Sequence, residues 1–158
     1  MRNMLVLAMG IVLSGAALSY AESETEKEVK QTIIDGYEYT NKNRTGRPDD
    51  YSQHGALEFW SSGGLLHAIP PGGRPEEFEV VNIQPKHINV ITLVEGQAAV
   101  AHFYSEGMLK PKGAAAVTNY LTRVTQVYVK EGEAWKIRST HWSALTGGGG
   151  TTQTAQEQ

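Results

Sequence analysis

Segment 119–143 constrains the fold most, because it predicts two antiparallel strands joined by a short turn. Apolar and polar residues alternate on both sides of the sequence KEGEA, which is short enough to fix a pairing register. Counting outward from this turn pairs Val129 with Trp135 and Arg123 with His141. We therefore expect Arg123 and His141 to lie side by side on one face of a sheet.

The same register predicts two different faces for this hairpin. One face is expected to combine apolar residues near the turn with a polar group farther out, namely Val127, Val129, Trp135, Ile137, Arg123, His141 and Ser143. The other face is mostly polar and is expected to be solvated or interfacial, with Thr122, Val124, Gln126, Tyr128, Lys136, Arg138, Thr140 and Trp142. An arginine and a histidine on the more apolar face indicate a lined cavity.

Residues 1–21 are typical of a secretory signal peptide. A single basic residue, Arg2, precedes the apolar run 4–18, and the small residues Ser19 and Ala21 suit cleavage after Ala21. The run is shorter than the roughly 20 residues that a membrane-spanning helix needs. We expect a secreted or periplasmic protein, with a retained anchor as the alternative.

Composition excludes several classes of protein. The formal charge of −3 becomes −4 when Arg2 is removed with the leader, and no basic stripe is present, which argues against nucleic acid as a partner. The chain has no cysteine, so it has neither disulfides nor a lipid-modified cysteine. The fold must therefore be held by its core.

Residues 22–146 are predicted to form a single domain, since their number suits one compact unit. The domain is expected to begin with an amphipathic helix from Glu22 to about Asn41. The apolar stripe of this helix consists of Val29, Ile33, Tyr37 and Thr40. Residues 147–158, rich in Gly, Thr and Gln, are predicted to be a flexible tail.

The rest of the domain alternates as strands do. Segment 56–69 is predicted to be one strand bent at Gly63 and Gly64, and further strands follow from Glu77 onward. Glu95-Gly96-Gln97 marks a tight turn between two of them. One or two helices followed by about four to six strands predict an α+β fold, in which a curved antiparallel sheet wraps around amphipathic N-terminal helices.

Several segments resemble the nuclear transport factor 2-like superfamily. They are the leading helix, the Phe59-Trp60 segment, the VEGQAAV hairpin and the closing RVTQVYVKEGEAWKIRSTHWS. Within the superfamily the chain is similar to SnoaL-like proteins and to the association domain of calmodulin-dependent kinase, whose last strand also runs from a Trp to His-x-Ser. That pattern spans Trp135 to Ser143 here, and the resemblance covers residues 29–145. It implies a cone with an internal cavity, often dimerising through the outer face of the sheet.

The resemblance does not imply one activity. The superfamily includes ketosteroid isomerase, polyketide cyclases, dehydratases, transport factors and scaffolding domains, so the fold cannot decide the function. Isomerase chemistry needs a carboxylate base near the cavity. Asp35 lies on the flank of the predicted helix, Asp49 and Asp50 lie in a turn, and the strand positions predicted to face inward carry no Asp or Glu. This departure weakens the catalytic interpretation.

The candidate site residues are Arg123, His141, Ser143, Trp60, Tyr37 and His102. Arg123 suits recognition of an anionic group, although an ion pair with Asp35 is the structural alternative. His141 suits proton transfer, and its alternative is a histidine that orders the last strand. The aromatic residues and His102 are candidates for cavity lining or for the core. His54, His102 and His141 lack ligand spacing, so neither a metal nor a cofactor is expected.

These observations support three hypotheses. The first is an exported domain, a homodimer, that binds a small, partly apolar molecule with a polar or anionic group directed at Arg123 and His141. The second is an isomerase, cyclase or dehydratase that uses His141 for proton transfer. The third is a dimeric interaction module with a vestigial cavity, which a flat hydrophobic outer face and a filled cavity would favour.

Overall fold

The computed structural model describes residues 21–73 and 76–145. Residues 1–20 of the predicted signal peptide and the predicted tail 147–158 lie outside the described residues. The elements are α1 (Glu24–Asn43), β1 (Ala56–Phe59), β2 (His67–Ile69), β3 (Phe78–Val94), β4 (Ala98–Pro111), β5 (Val117–Glu131) and β6 (Ala134–Ala144). Within the described ranges, no helix is long and apolar enough to cross a membrane.

One helix lies on one face of a curved six-stranded sheet, so the predicted α+β class is confirmed. The strand order is β2-β1-β6-β5-β4-β3. The sheet is mixed rather than purely antiparallel, because β1 pairs with β6 in parallel, with Leu57 opposite Ser139. A parallel pair needs a long connection, and here all of β2 to β5 lies between the two strands.

Segment 56–69 forms a hairpin of two strands instead of the single bent strand that was predicted. Gly63 and Gly64 both have positive φ, 84° and 106°, which allows the chain to reverse completely between β1 and β2. The reversal pairs Glu58 with His67 across the hairpin. Two residues that are nine positions apart in the sequence therefore become neighbours.

The predicted amphipathic helix is confirmed. Ser23 and Glu26 form a capping box, in which the Ser23 side chain accepts from the Glu26 N–H and the Glu26 carboxylate accepts from the Ser23 N–H. Val29 and Ile33 are buried and pack on the central strands of the sheet. The same stripe continues toward Tyr37, which is partly buried against this core.

Side chains attach both ends of α1 to the sheet. At its start, the Thr25 hydroxyl accepts from the Gly96 N–H at 2.7 Å, in the turn between β3 and β4. Near its end, the Asn41 amide group donates to the Ile83 carbonyl at 2.7 Å and accepts from the Ile83 N–H at 3.0 Å. The helix axis is therefore fixed across the sheet, and the space beneath its middle is defined.

The closing hairpin differs from the predicted register by one residue at its turn and by a second residue at a β-bulge. Near the turn Val129 lies opposite Lys136, and beyond the irregularity at Val127 and Tyr128 the residue opposite Val127 is Ser139. Arg138 is left without a partner residue in the ladder. The predicted pairing of Arg123 with His141 is therefore wrong: Arg123 lies opposite Ser143.

The bulge also changes which side chains share a face. Trp135 and Ile137 point to the side of Tyr128, because Ile137 lies directly opposite Tyr128. The extra residue then reverses the alternation of β6, so that Thr140 and Trp142 point to this same side, opposite Gln126 and Val124. This side carries the core and faces α1. The predicted combination of Trp135 and Ile137 with Arg123 and His141 on one face is therefore wrong as well.

Candidate functional site

A pocket of about 470 Å³ lies between α1 and the sheet. Its walls come from the helix, from the β1–β2 hairpin, and from the inner faces of β5 and β6. Most of the lining is apolar or aromatic, as in ordinary binding sites for small molecules. Two of the candidate site residues, Tyr37 and Trp60, are part of this lining.

The other four candidates do not line the pocket. Arg123 is exposed on the outer face of the sheet, where its Nη2 donates to Ser143 Oγ at 2.9 Å. His141 lies on the same face with its ring centroid 5.6 Å from that of Phe59. His102 is exposed there too, with Nδ1 3.0 Å from Thr125 Oγ1. The prediction that these residues form the polar end of a cavity is wrong. Arg123 and His102 face outward because their strand neighbours Val124, Ala101 and Phe103 face the core, and the bulge in β6 turns His141 and Ser143 to the same outer face.

The pocket contains a buried carboxylate, Glu58, that none of those predictions included. Glu58 points inward from β1 and is only 8% exposed. Its Oε1 accepts from the indole Nε1–H of Trp142 at 3.0 Å. Its Oε2 lies 3.9 Å from Nδ1 of His67, which is too far for a normal hydrogen bond. Glu58 is therefore an inward-facing acceptor with free capacity.

Burial raises the pKa of Glu58, because the carboxylate is removed from water. The hydrogen bond from Trp142 and the nearby His67 oppose this rise, and the negative charge of Glu76 adds to it. Burial raises the pKa of Glu76 as well. In both carboxyl groups, removal from water makes the ionised form less favourable than it is in solution.

A second polar group closes the helix side of the pocket. Asp50 accepts from the Arg47 guanidinium, and both side chains line the pocket. Burial raises the pKa of Asp50, while the adjacent Arg47 lowers it. The guanidinium is thus already engaged by a carboxylate on the protein, which leaves it less free to bind an anionic ligand.

Tyrosine hydroxyls supply neutral polar groups to the pocket. Tyr128 donates to Gln126 Oε1 at 2.7 Å, and both line the pocket. The Tyr37 hydroxyl is buried and lacks a hydrogen-bond partner within the described part of the chain. Burial raises the pKa of Tyr37, and a weaker contact with the Ser105 hydroxyl opposes that rise. These phenols therefore stay protonated and act as neutral hydrogen-bonding groups.

Sequence reasoning missed Glu58 and His67. It placed them on one bent strand, and it found no acidic residue at an inward-facing strand position. The alternation in Ala56-Leu57-Glu58-Phe59 carries a usable signal, because Glu58 shares a face with the buried Ala56 while Leu57 and Phe59 face outward. No group of three or more metal-ligating side chains that could hold an ion occurs in residues 21–73 and 76–145.

Known structures share this architecture. An NTF2-like protein of unknown function from Pseudomonas putida aligns with a TM-score of 0.50 at 16% identity, covering 75% of this chain and 85% of that one. An NTF2-like protein of unknown function from Prochlorococcus aligns with a TM-score of 0.50 at 16% identity, covering 76% of this chain and 92% of that one. The association domain of C. elegans CaMKII aligns with a TM-score of 0.47 at 16% identity, covering 77% of this chain and 100% of that one.

No protein-family model and no curated protein matches the sequence. The structural neighbours nevertheless show that the chain has the NTF2-like, that is nuclear transport factor 2-like, superfamily fold. The suspected superfamily is thereby confirmed at the level of the fold.

The raised pKa of Glu58 predicts how Glu58→Gln changes stability with pH. A carboxyl group whose pKa is higher in the folded state stabilises the fold fully below its unfolded pKa, and this contribution is lost as pH rises through the folded pKa. The amide of glutamine cannot ionise, so it does not lose this contribution at high pH, and its oxygen still accepts the hydrogen bond from Trp142. We expect Glu58→Gln to increase the free energy of unfolding by on the order of 1 kcal/mol near neutral pH. The gain should vanish at about pH 4.

Urea denaturation at several pH values measures this difference. Glu133→Gln is the matched control, because Glu133 is exposed and its replacement should not change the pH profile. A Glu58→Gln protein that is less stable than wild type near neutral pH would show that the ionised carboxylate is stabilised by its surroundings rather than destabilised by burial.

Proposed function

We propose that the protein binds a small, partly apolar molecule in the pocket between α1 and the sheet. The observation that supports this most is the combination of volume and lining, because about 470 Å³ of mostly apolar space with a few inward-facing polar groups matches ordinary ligand sites. The polar end of the pocket is Glu58 with His67 and Trp142, in place of Arg123 and His141.

Export is part of the same proposal. A leader of the composition seen in residues 1–21 directs secretion, and the domain without cysteine needs no disulfide to fold outside the cytoplasm. The mature protein then begins at Glu22 and acts in the periplasm or outside the cell. The intact mass of protein recovered from those fractions of the native host tests this start site.

Filling the pocket from the helix tests the binding function. Gly36 lines the pocket, and a Cβ placed there meets only Arg47 Nη2 and Asp50 Oδ2, both at 4.0 Å. Gly36→Phe should therefore occupy the pocket without displacing the backbone and abolish binding of prodan, a neutral dye whose fluorescence increases in apolar surroundings.

Gly36→Ala is the matched control for this variant. It should keep prodan binding and gain about 1 kcal/mol of stability, because alanine favours a helix more than glycine does. Fluorescence titration measures the binding, and circular dichroism verifies the fold. Equal prodan binding by Gly36→Phe and wild type would contradict the assignment of the ligand to this pocket.

The Glu58 environment supports an enzyme as the second candidate. A buried carboxyl with a raised pKa beside a histidine can take a proton from a bound substrate and return it at another position, as isomerisation and dehydration require. In this candidate Glu58 transfers the proton, whereas His141 cannot, since it lies on the outer face.

Turnover assays with any molecule that copurifies with the protein separate the two candidates. If the protein is such an enzyme, Glu58→Gln should reduce turnover by a factor of about 100 or more while the molecule still binds. Wild-type turnover by this variant, or no turnover by wild type, would leave binding as the function.

Self-association through the outer face is a further part of the proposal. Leu57, Phe59, Ile91 and Leu93 are between 44% and 56% exposed on that face. Aligned strand positions place Leu57, Ser139, Val127, Val100 and Ile91 in one row across five strands. Apolar surface of this extent suits contact with a second copy. It also accords with the dimer that the resemblance implies.

Leu57→Lys tests this contact, because a lysine in the apolar row has to be desolvated in a dimer. We expect the wild-type protein to sediment as a dimer. Leu57→Lys should raise the dissociation constant of the dimer by a factor of about 10 or more and so increase the monomer fraction. Leu65→Lys is the matched control, since Leu65 is 94% exposed in the β1–β2 loop and should not alter association. A monomeric wild-type protein in analytical ultracentrifugation would contradict the dimer.

A further inference from the structure

The charges in the pocket are unbalanced. Three carboxyl side chains line it, those of Asp50, Glu58 and Glu76, whereas Arg47 is the one lysine or arginine among the described lining residues. Arg47 already binds Asp50. Glu58 and Glu76 consequently have no lysine or arginine free to pair with them among the described lining residues, and His67 is the one histidine there beside Glu58.

Glu58 is the side chain best placed to hold a ligand. It is buried, faces the pocket and keeps Oε2 without a hydrogen-bond partner within residues 21–73 and 76–145. His67 Nδ1, 3.9 Å away, is itself buried and also lacks a hydrogen-bond partner there. A buried carboxylate that the protein satisfies at only one oxygen is costly unless a bound group satisfies the other.

Several aromatic rings line the pocket that holds this carboxylate. The Trp142 indole is hydrogen-bonded to Glu58, and the Trp60 ring centroid lies 6.0 Å from that of His67. Tyr51 and Tyr120 also line the pocket, and the charges of Glu58 and Glu76 reach both of them, helping to raise the pKa of each phenol. Carboxylates combined with aromatic rings are the surroundings in which proteins bind organic cations.

We propose that the ligand of this pocket carries a protonated amine, which binds the Glu58 carboxylate among the rings of Trp60, Trp142 and Tyr120. Glu76 supplies a second negative charge to the same pocket, and the apolar walls take the hydrocarbon part of the ligand. The inference rests on the proposed binding function and names its ligand class. It replaces the anionic group that the sequence led us to expect.

A protonated amine fits this pocket better than a neutral or anionic group does. It donates to the free Glu58 oxygen in a charge-assisted hydrogen bond, which is stronger than a bond between neutral groups. It also supplies the positive charge that the pocket lacks, so the carboxylate stays ionised when the ligand is bound. A carboxylate ligand, in contrast, would face Glu58 and Glu76 as like charges.

Three probes of similar shape separate the ligand classes: tryptamine, tryptophol and indoleacetate share an indole ring and differ in the charge of the side chain. Isothermal titration calorimetry with the mature protein near neutral pH should show tryptamine binding about 10- to 100-fold more tightly than tryptophol. Indoleacetate should bind most weakly. Glu58→Gln should remove the preference for tryptamine while leaving the affinity for tryptophol unchanged.

Controls separate this inference from the proposed function. Glu133→Gln should keep the preference for tryptamine, and Gly36→Phe should lose all three probes. If tryptophol or indoleacetate binds as tightly as tryptamine, or if Glu58→Gln keeps the preference, the amine assignment is wrong while pocket binding stands. If none of the three probes binds, the amine assignment is also wrong, and prodan binding decides separately whether the pocket takes ligands.

Discussion

The β-bulge at Arg138 is the constraint on which both faces of the sheet depend. Trp135 and Ile137 lie on the side of the sheet that α1 covers, and one extra residue in β6 brings Trp142 to the same side. Beyond the bulge, Trp142 points into the pocket and His141 points away from it. Without the extra residue, the alternation along the strand would place the hydrophobic end and the pocket end of β6 on opposite faces. The core and the pocket are contiguous because of this single irregularity.

Several features of the pocket together make carboxylates its main charged groups. Its walls are mostly apolar, its phenols stay protonated and the one guanidinium among its described lining residues is occupied by Asp50, so the carboxylates dominate its electrostatics. Burial alone does not make such a group catalytic, since a buried carboxylate serves equally well to hold a ligand. Ligand binding and proton transfer at Glu58 would therefore both follow from the burial of its carboxylate. Which of the two occurs depends on whether the bound molecule has a proton that can be transferred.

Much of the fold was predictable from local patterns, whereas the site was not. The helix has a capping sequence and a clear apolar stripe, and the turn at Glu95-Gly96-Gln97 has an evident signal between alternating strands. A bulge leaves no comparable signal, because Arg138 continues the alternation of polar and apolar residues in the sequence. The bulge reverses the face of His141, whereas Arg123 faces outward because Val124, Gln126 and Tyr128 of its own strand face the core. The reversal at Gly63 and Gly64, which brings His67 opposite Glu58, was not predicted either.

The attachment of α1 also bears on the order in which the domain folds. The side chains that hold the helix reach partners far along the chain, with 71 residues between Thr25 and Gly96 and 42 between Asn41 and Ile83. Closing such long loops costs conformational entropy. The strands from β3 to β6 are successive neighbours, so they can pair without the helix. We expect the meander to form first and the helix to dock last, which makes the pocket the final part of the domain to close.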